Sequence, residues 1–222
     1  MPTAEELQIL SLSLRVAAVG TILCFPFALA ISWFLAKSAM RGKLLLDSLI
    51  SFPLVLPPVV IGYALLLTFG RHGPLGKLLS EMGIELIFTW WAAAVAAGIV
   101  GLPLMIRAME VSIARVDPRL EQIARGLGAG PWRTFITVTV RIAWPGIVAG
   151  VVLAFARALG EFGATIVVAG NIPGSTQTLA LGIFTQLQTG NDAAAMRLVV
   201  FSLALAIGAL AAHHYLVRRT SG

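Results

Sequence analysis

Long runs of apolar residues without a single charge constrain this chain more than any other feature. A helix needs about 20 such residues to cross the core of a bilayer. Val16 to Ala36, Leu49 to Phe69, Leu86 to Ile106 and Leu198 to Val217 all meet that length, and the second run starts a few residues early. Ile142 to about Ala164 is a fifth, broken only by Arg157 and Glu161. Hydrophobic residues make up 58% of the 222 and charged ones 12%, too little polar surface for a soluble domain of this size. The expectation is an all-α, polytopic membrane helix bundle of about five transmembrane helices, forming a single domain over 1–222.

The chain's beginning and its single thiol add little. Met1 to Gln8 carries Glu5 and Glu6 and no Lys or Arg, the wrong charge for the leading region of a signal peptide. The first run therefore reads as a retained span. Cys24 sits inside it, and one thiol forms neither an internal disulfide nor a zinc site.

A net charge of +6 could suggest nucleic acid, but the basic residues are confined to short segments between apolar runs. That is how membrane proteins orient themselves. Lys37, Arg41, Lys43, Arg107, Arg115, Arg119, Arg125, Arg133, Arg141, Arg218 and Arg219 fall on one side; Arg15, Arg71, Lys77 and Arg197 fall on the other. The richer side is expected to be cytoplasmic, which puts the N-terminus outside and the C-terminus inside. Trp90 and Trp91 read as part of an interfacial aromatic belt, and His213 and His214 as interfacial residues, with no ligand spacing that suggests a metal.

The richest segment lies in the cytoplasmic loop at about 110–135. Asp117 can cap a helix whose first position is Pro118. Leu120, Ile123, Ala124 and Leu127 recur at i, i+3, i+4 and i+7 and make one apolar face, beside Glu121. Gly128, Gly130 and Pro131 end the helix. Such a face needs a cover, which is lipid headgroups, the chain's own bundle or a groove on a cytoplasmic partner.

Two features interrupt the spans. Pro53, Pro57 and Pro58 break the backbone ladder of the second, as a static kink or as a hinge beside a path. Arg157 and Glu161 stand four apart on the fifth run and share a face. Each isolated charge at mid-membrane costs on the order of 2.5–3.5 kcal/mol, which pairing lowers. The pair reads either as a strut between helices or as a gate or anion contact, with Gly160 and Gly163 allowing close helix approach. Beyond it, 165–192 is nearly uncharged and polar. Asn171-Ile172-Pro173-Gly174 is a turn, and Thr178 to Leu187 is too short to cross, so the segment reads as re-entrant or as lying at the surface. The N–H groups and hydroxyls from Asn171 to Thr178, Thr176 included, could bond an oxyanion or simply form an outer loop.

Three stretches carry a resemblance. The loop resembles that of membrane subunits of ABC importers, which runs Glu-Ala-Ala, three residues, Gly, nine residues, Ile, one residue, Leu-Pro. Gly128 and Ala124 fit, and Val138 and Val140 stand for Ile and Leu. Gln122 and Ile123 depart from it, the glutamate comes one residue early at Glu121, and Arg141 replaces the proline, leaving Pro145 to bend the chain. Asp47 to Gly62 and Ala154 to Thr178 then resemble the membrane subunit of a molybdate ABC importer, with sulfate and tungstate permeases as close alternatives. The resemblance covers about Ser13 to Ala212.

It implies the type I ABC importer permease fold and a homodimer in the inner membrane of a prokaryote. It also implies cytoplasmic ATP-binding subunits that use ATP and Mg, and an external solute-binding protein. The chain itself would bind no cofactor and be no enzyme, since it lacks Gly-x-x-x-x-Gly-Lys-Ser/Thr. An ion-coupled secondary transporter would want several buried carboxylates where only Glu161 is present, and no internal repeat is visible. An intramembrane enzyme would need a nucleophile with its base, or His-Glu-x-x-His, and neither occurs.

Overall fold

The computed structural model describes residues 3–38 and 42–220, with side chains at all of these but 213 and 216–220. Arg41 and the side chains of His213, Arg218 and Arg219, all named above, lie outside the described residues. Regular structure among the described residues is entirely helical. Four helices are long and apolar enough to cross a membrane, and a fifth span is counted if one sharply bent pair is taken together.

The first helix, α1 (Ala4–Lys37), starts twelve residues before the apolar run that announced it. Its N-terminus is a capping box, in which the Thr3 hydroxyl accepts from the Glu6 N–H and Glu6 accepts from the Thr3 N–H. Buried Glu6 is also paired with Arg197 at 2.8 Å, so the polar turns are anchored instead of frayed. The second expected span is two helices, α2 (Lys43–Val55) and α3 (Pro58–Phe69), bent by 107° at Leu56–Pro57. Pro57 and Pro58 lack the N–H groups that would continue the ladder. A short α4 (Pro74–Glu81) then leads to α5 (Trp90–Ala114). This third span starts later than its apolar run and carries on past the end of that run through Arg107 and into the expected loop at Glu110.

After α6 (Pro118–Gly126) the chain re-enters through α7 (Pro131–Thr134), a π-helical segment at 135–140 and α8 (Arg141–Leu159). Arg133 and Arg141 are therefore helical and not in a loop. Pro145 lies within α8, and the departure from α geometry falls instead on the π-helical turn just before Arg141. The chain breaks at Gly160–Phe162, resumes as α9 (Gly163–Ala169), and ends with α10 (Leu179–Gln188) and α11 (Asp192–Thr220). The fifth apolar run is thus α8 plus the start of α9, and the short polar segment after it is α10.

The bundle is organised around α5, on which α1 and α8 pack. Lipid tails are as apolar as leucine, so helices associate there through close packing, favoured by small residues. Ala92, Ala93, Ala94, Ala96 and Ala97 of α5 are all buried. A Cβ on Gly98 would lie 2.6 Å from the Gly20 carbonyl oxygen, so α1 and α5 touch backbone to backbone. Towards the other end Leu35, Met105, Met109 and Ile147 fill a second core layer.

Charge marks the two ends. The C-terminal end of α1, the start of α2 and the last turns of α5 meet around Lys37, Lys43, Arg107, Glu110 and Glu121. At the opposite end the Arg15 guanidinium lies 3.8 Å over the Trp90 ring, and Trp90 stacks on Trp91.

Candidate functional site: a crossing of broken helices and a projecting helix

The two interrupted helices meet. A Cβ on Gly62 of α3 would lie 2.8 Å from the Ala164 carbonyl oxygen and 2.9 Å from the Val167 side chain. One on Gly163 would come within 3.0 Å of the Pro58 ring and 3.2 Å of the Val59 nitrogen. The starts of α3 and α9 therefore cross closely, Gly62 resting against Ala164 and Val167, and Gly163 against Pro58 and Val59. Discontinuous helices at membrane depth survive where neighbouring protein satisfies the freed backbone, or beside water.

Arg157 and Glu161 sit at this crossing. One carboxylate oxygen of Glu161 accepts from the Ala164 N–H at 2.8 Å and so caps α9, while the other pairs with the Arg157 guanidinium at 2.9 Å. The two partners are unequally buried: the Glu161 side chain is 2% exposed and that of Arg157 is 31% exposed. The pair therefore forms as the i, i+4 spacing anticipated, and the carboxylate has a second duty that spacing did not reveal. Pro53 lies inside α2, and Pro57 and Pro58 form the corner and first turn of α3.

Asn171 and Thr176 are not at the crossing. They belong to the loop before α10, where their polar groups are taken up internally. The Ile172 N–H donates to the Thr176 hydroxyl, and the N–H groups of Ser175, Thr176 and Gln177 all point to the Ile172 carbonyl. The Asn171 amide donates to the Thr185 hydroxyl and its oxygen accepts from Gln177. Thr176 is fully buried.

The projecting helix α6 is built as its sequence suggests. The Asp117 carboxylate accepts from the Arg119 N–H at 2.9 Å, Pro118 is the first helical residue, and Gly128 adopts φ +88° just past the end. That left-handed turn lets the Gly128 N–H reach the Arg125 carbonyl and the Ala129 N–H reach that of Ala124. Leu120, Ile123 and Leu127 are 44%, 60% and 84% exposed, so the chain's own bundle does not cover the apolar face. Ala124 is half-buried beside them.

The opposite face of α6 is anchored by Glu121. It accepts from the Thr139 hydroxyl of the π-helical turn at 2.5 Å and pairs with Lys37 of α1 at 3.0 Å. Burial pushes its carboxyl up, but the bonds to Thr139 and Lys37 and the charges of Lys37 and Arg125 outweigh this and hold it below the ordinary carboxylate range. One side chain thus joins α6 to two membrane-spanning helices.

A further cluster escaped the sequence. Arg107 of α5 reaches Asp47 and Glu110 at 3.0 Å each, the Ser51 hydroxyl at 2.9 Å and the Asp47 carbonyl at 3.2 Å; Lys43 adds a contact to Glu110 at 3.3 Å. No residue of α2 is fully buried; this clamp ties α2 to α5 together with Leu46 and Ile50, which are partly buried against the second core layer. Its sequence signal was two acidic residues, Asp47 and Glu110, at the end where basic ones prevail.

The family described as "Binding-protein-dependent transport system inner membrane component" matches residues 13–222. The molybdenum transport system permease protein ModB of Escherichia coli (strain K12) is 46% identical over 218 residues, covering 97% of this chain and 95% of that protein. The sulfate transport system permease protein CysT of the same organism is 36% identical over 191 residues, 86% of this chain and 69% of that protein. Among solved structures, a bacterial ABC transporter involved in the import of the acidic polysaccharide alginate aligns with a TM-score of 0.76 at 14% identity, covering 98% of this chain and 80% of that one.

Proposed function

This chain belongs to the family of binding-protein-dependent transport system inner membrane components, and from that membership we propose that it is the pore subunit of an ATP-driven importer carrying molybdate. The identity of 46% to the molybdenum permease, against 36% to the sulfate permease, favours molybdate over sulfate. The working unit is a homodimer with the path on its two-fold axis. Two cytoplasmic ATP-binding subunits supply the hydrolysis with ATP and Mg, and an external binding protein delivers the anion. The N-terminus lies outside and the C-terminus in the cytoplasm.

The observation that carries this reading is α6. It offers an uncovered apolar face formed by Leu120, Ile123 and Leu127, and it is fastened through Glu121 to α1 and the π-helical turn. A helix set for lipid alone has no need of that fastening; one that transmits force from a docked partner does. ATP binding draws the two ATPases together and α6 moves with them. The displacement passes through Glu121 to the spans, and the crossing at Pro57, Pro58 and Glu161 opens outward. Pro53 softens α2 below that corner. Asn171 and Thr176 hold the shape of the outer loop. Such a cycle requires each partner to bind the two states unequally.

The test is reconstitution in liposomes with the candidate ATPase and binding protein. ATP hydrolysis stimulated by molybdate-loaded binding protein, and not by the sulfate-loaded form, is the expected result. Stimulation by sulfate alone would replace the substrate, and failure to assemble with any ATPase would overturn the importer reading.

A further inference from the structure

We infer that the free edge of the Arg157 guanidinium is a transient contact for the tetrahedral dianion as it passes the crossing of the broken helices, and that Glu161 is the positioning residue that aims it. This rests on the importer reading above. The guanidinium carries five N–H donors in a rigid fork. One nitrogen is held by Glu161 at 2.9 Å, and the other two have no hydrogen-bond or ion-pair partner among the described residues. The asymmetry of burial shows which group is presented: the carboxylate is sealed, and almost a third of the arginine side chain is open.

Hydrocarbon is a poor neighbour for that open edge, because donors left unpaired in lipid cost several kcal/mol each. Water or a polar solute is the fitting one. Space for it exists beside the pair: Gly160, in the break itself, has no heavy atom within 4 Å of where a Cβ would stand. The planar fork matches two oxygens of a tetrahedral oxyanion. Because Glu161 already neutralises the charge, the contact is weak, as a path needs if the ion is to leave again. In the outer loop the N–H groups at 172 and 175–177 are committed within the loop, and the loop carries no guanidinium.

The experiment uses the reconstituted complex with ATPase, binding protein and radiolabelled molybdate, in a Cys24→Ala background. Assembly of each variant is checked first by size exclusion. Arg157→Cys is expected to lower uptake at least about tenfold, the worth of one charge-assisted hydrogen bond. A positively charged thiosulfonate should then restore uptake, a negatively charged one should not, and saturating molybdate should slow the labelling. Normal uptake by Arg157→Cys, or equal rescue by both reagents, would overturn the inference. If the cysteine variant does not assemble, Arg157→Lys decides: an assembled lysine variant should retain more uptake than Arg157→Gln, and equal loss would overturn it. Absence of oxyanion uptake by the unmutated complex would instead remove the importer reading.

Discussion

Helices α5 and α2 lie side by side and are held in opposite ways. Much of α5 is buried, mostly as alanine and glycine packed against the backbones of α1 and α8. No residue of α2 is buried, and Leu44, Leu45 and Val55 are 77%, 77% and 81% exposed. The first is fixed by shape, which in a close-packed interior yields little. The second is fixed by the charges around Arg107, with only Leu46 and Ile50 partly buried against the core, beside a proline corner. A helix held by shape suits an axle. A helix held by ion pairs at one end and bent at the other suits an arm that changes position.

The largest effect should come from attacking the axle. Gly98→Leu places a side chain where the Gly20 carbonyl oxygen and the Cys24 sulfur already stand, 2.6 and 2.8 Å from the new Cβ. Overpacking costs about 1–3 kcal/mol where neighbours can shift, and more where backbone is the obstacle. We expect loss of monodisperse protein in detergent, or a large fall in melting temperature, while Leu44→Ala on α2 leaves both unchanged. An equal response from the two variants would break the contrast between the helices.

What could be read in advance follows the range of the interactions involved. The cap at Asp117–Pro118, the left-handed turn at Gly128 and the Arg157–Glu161 pair are set by neighbours within a few residues, and they appear as written. The two prolines at the α2–α3 corner announced an interruption. The 107° angle depends on Gly62 resting against Ala164, more than a hundred residues later, and no local pattern encodes it. Runs of apolar residues measure burial in lipid and not the extent of a helix. Hence α1 begins before its run, and α5 continues past its own through Arg107, whose charge is paired across to α2. The π-helical turn left no trace in the letters.

Arg107→Ala should have a middling effect, confined to the arm. It takes away the donor shared by Asp47, Ser51 and Glu110, at about 1–2 kcal/mol for partly exposed charge-assisted bonds. The bundle should still fold. A thiol placed by Lys43→Cys in a Cys24→Ala background should react faster once Arg107 is removed, and high salt should produce part of the same acceleration. Unchanged labelling would mean that the packing of Leu46 and Ile50 holds α2 without the clamp, and the contrast with α5 would have to be withdrawn.

The smallest effect concerns how α6 is attached to the axle's neighbours. Glu121 is held below its ordinary value of 4.5 by Thr139 and Lys37 in spite of its burial. A carboxyl lowered on folding adds stability that is fully present above its unfolded value and fades as pH falls through the folded one. Docking of α6 should therefore be insensitive to pH from neutrality down to about 5 and weaken below that. Glu121→Gln removes the charge, so it should lose up to about 1 kcal/mol at neutral pH, and its difference from the parent should shrink as the medium is acidified. Thermal melts in detergent between neutral and acid pH, compared for the two proteins, measure both. A variant whose deficit stays constant with pH would show that Glu121 acts here through the shape of its hydrogen bonds alone. The helix α6 would then be joined to the spans by contacts of the same kind that hold α5, and the division between charge-held and shape-held parts would stop at α2.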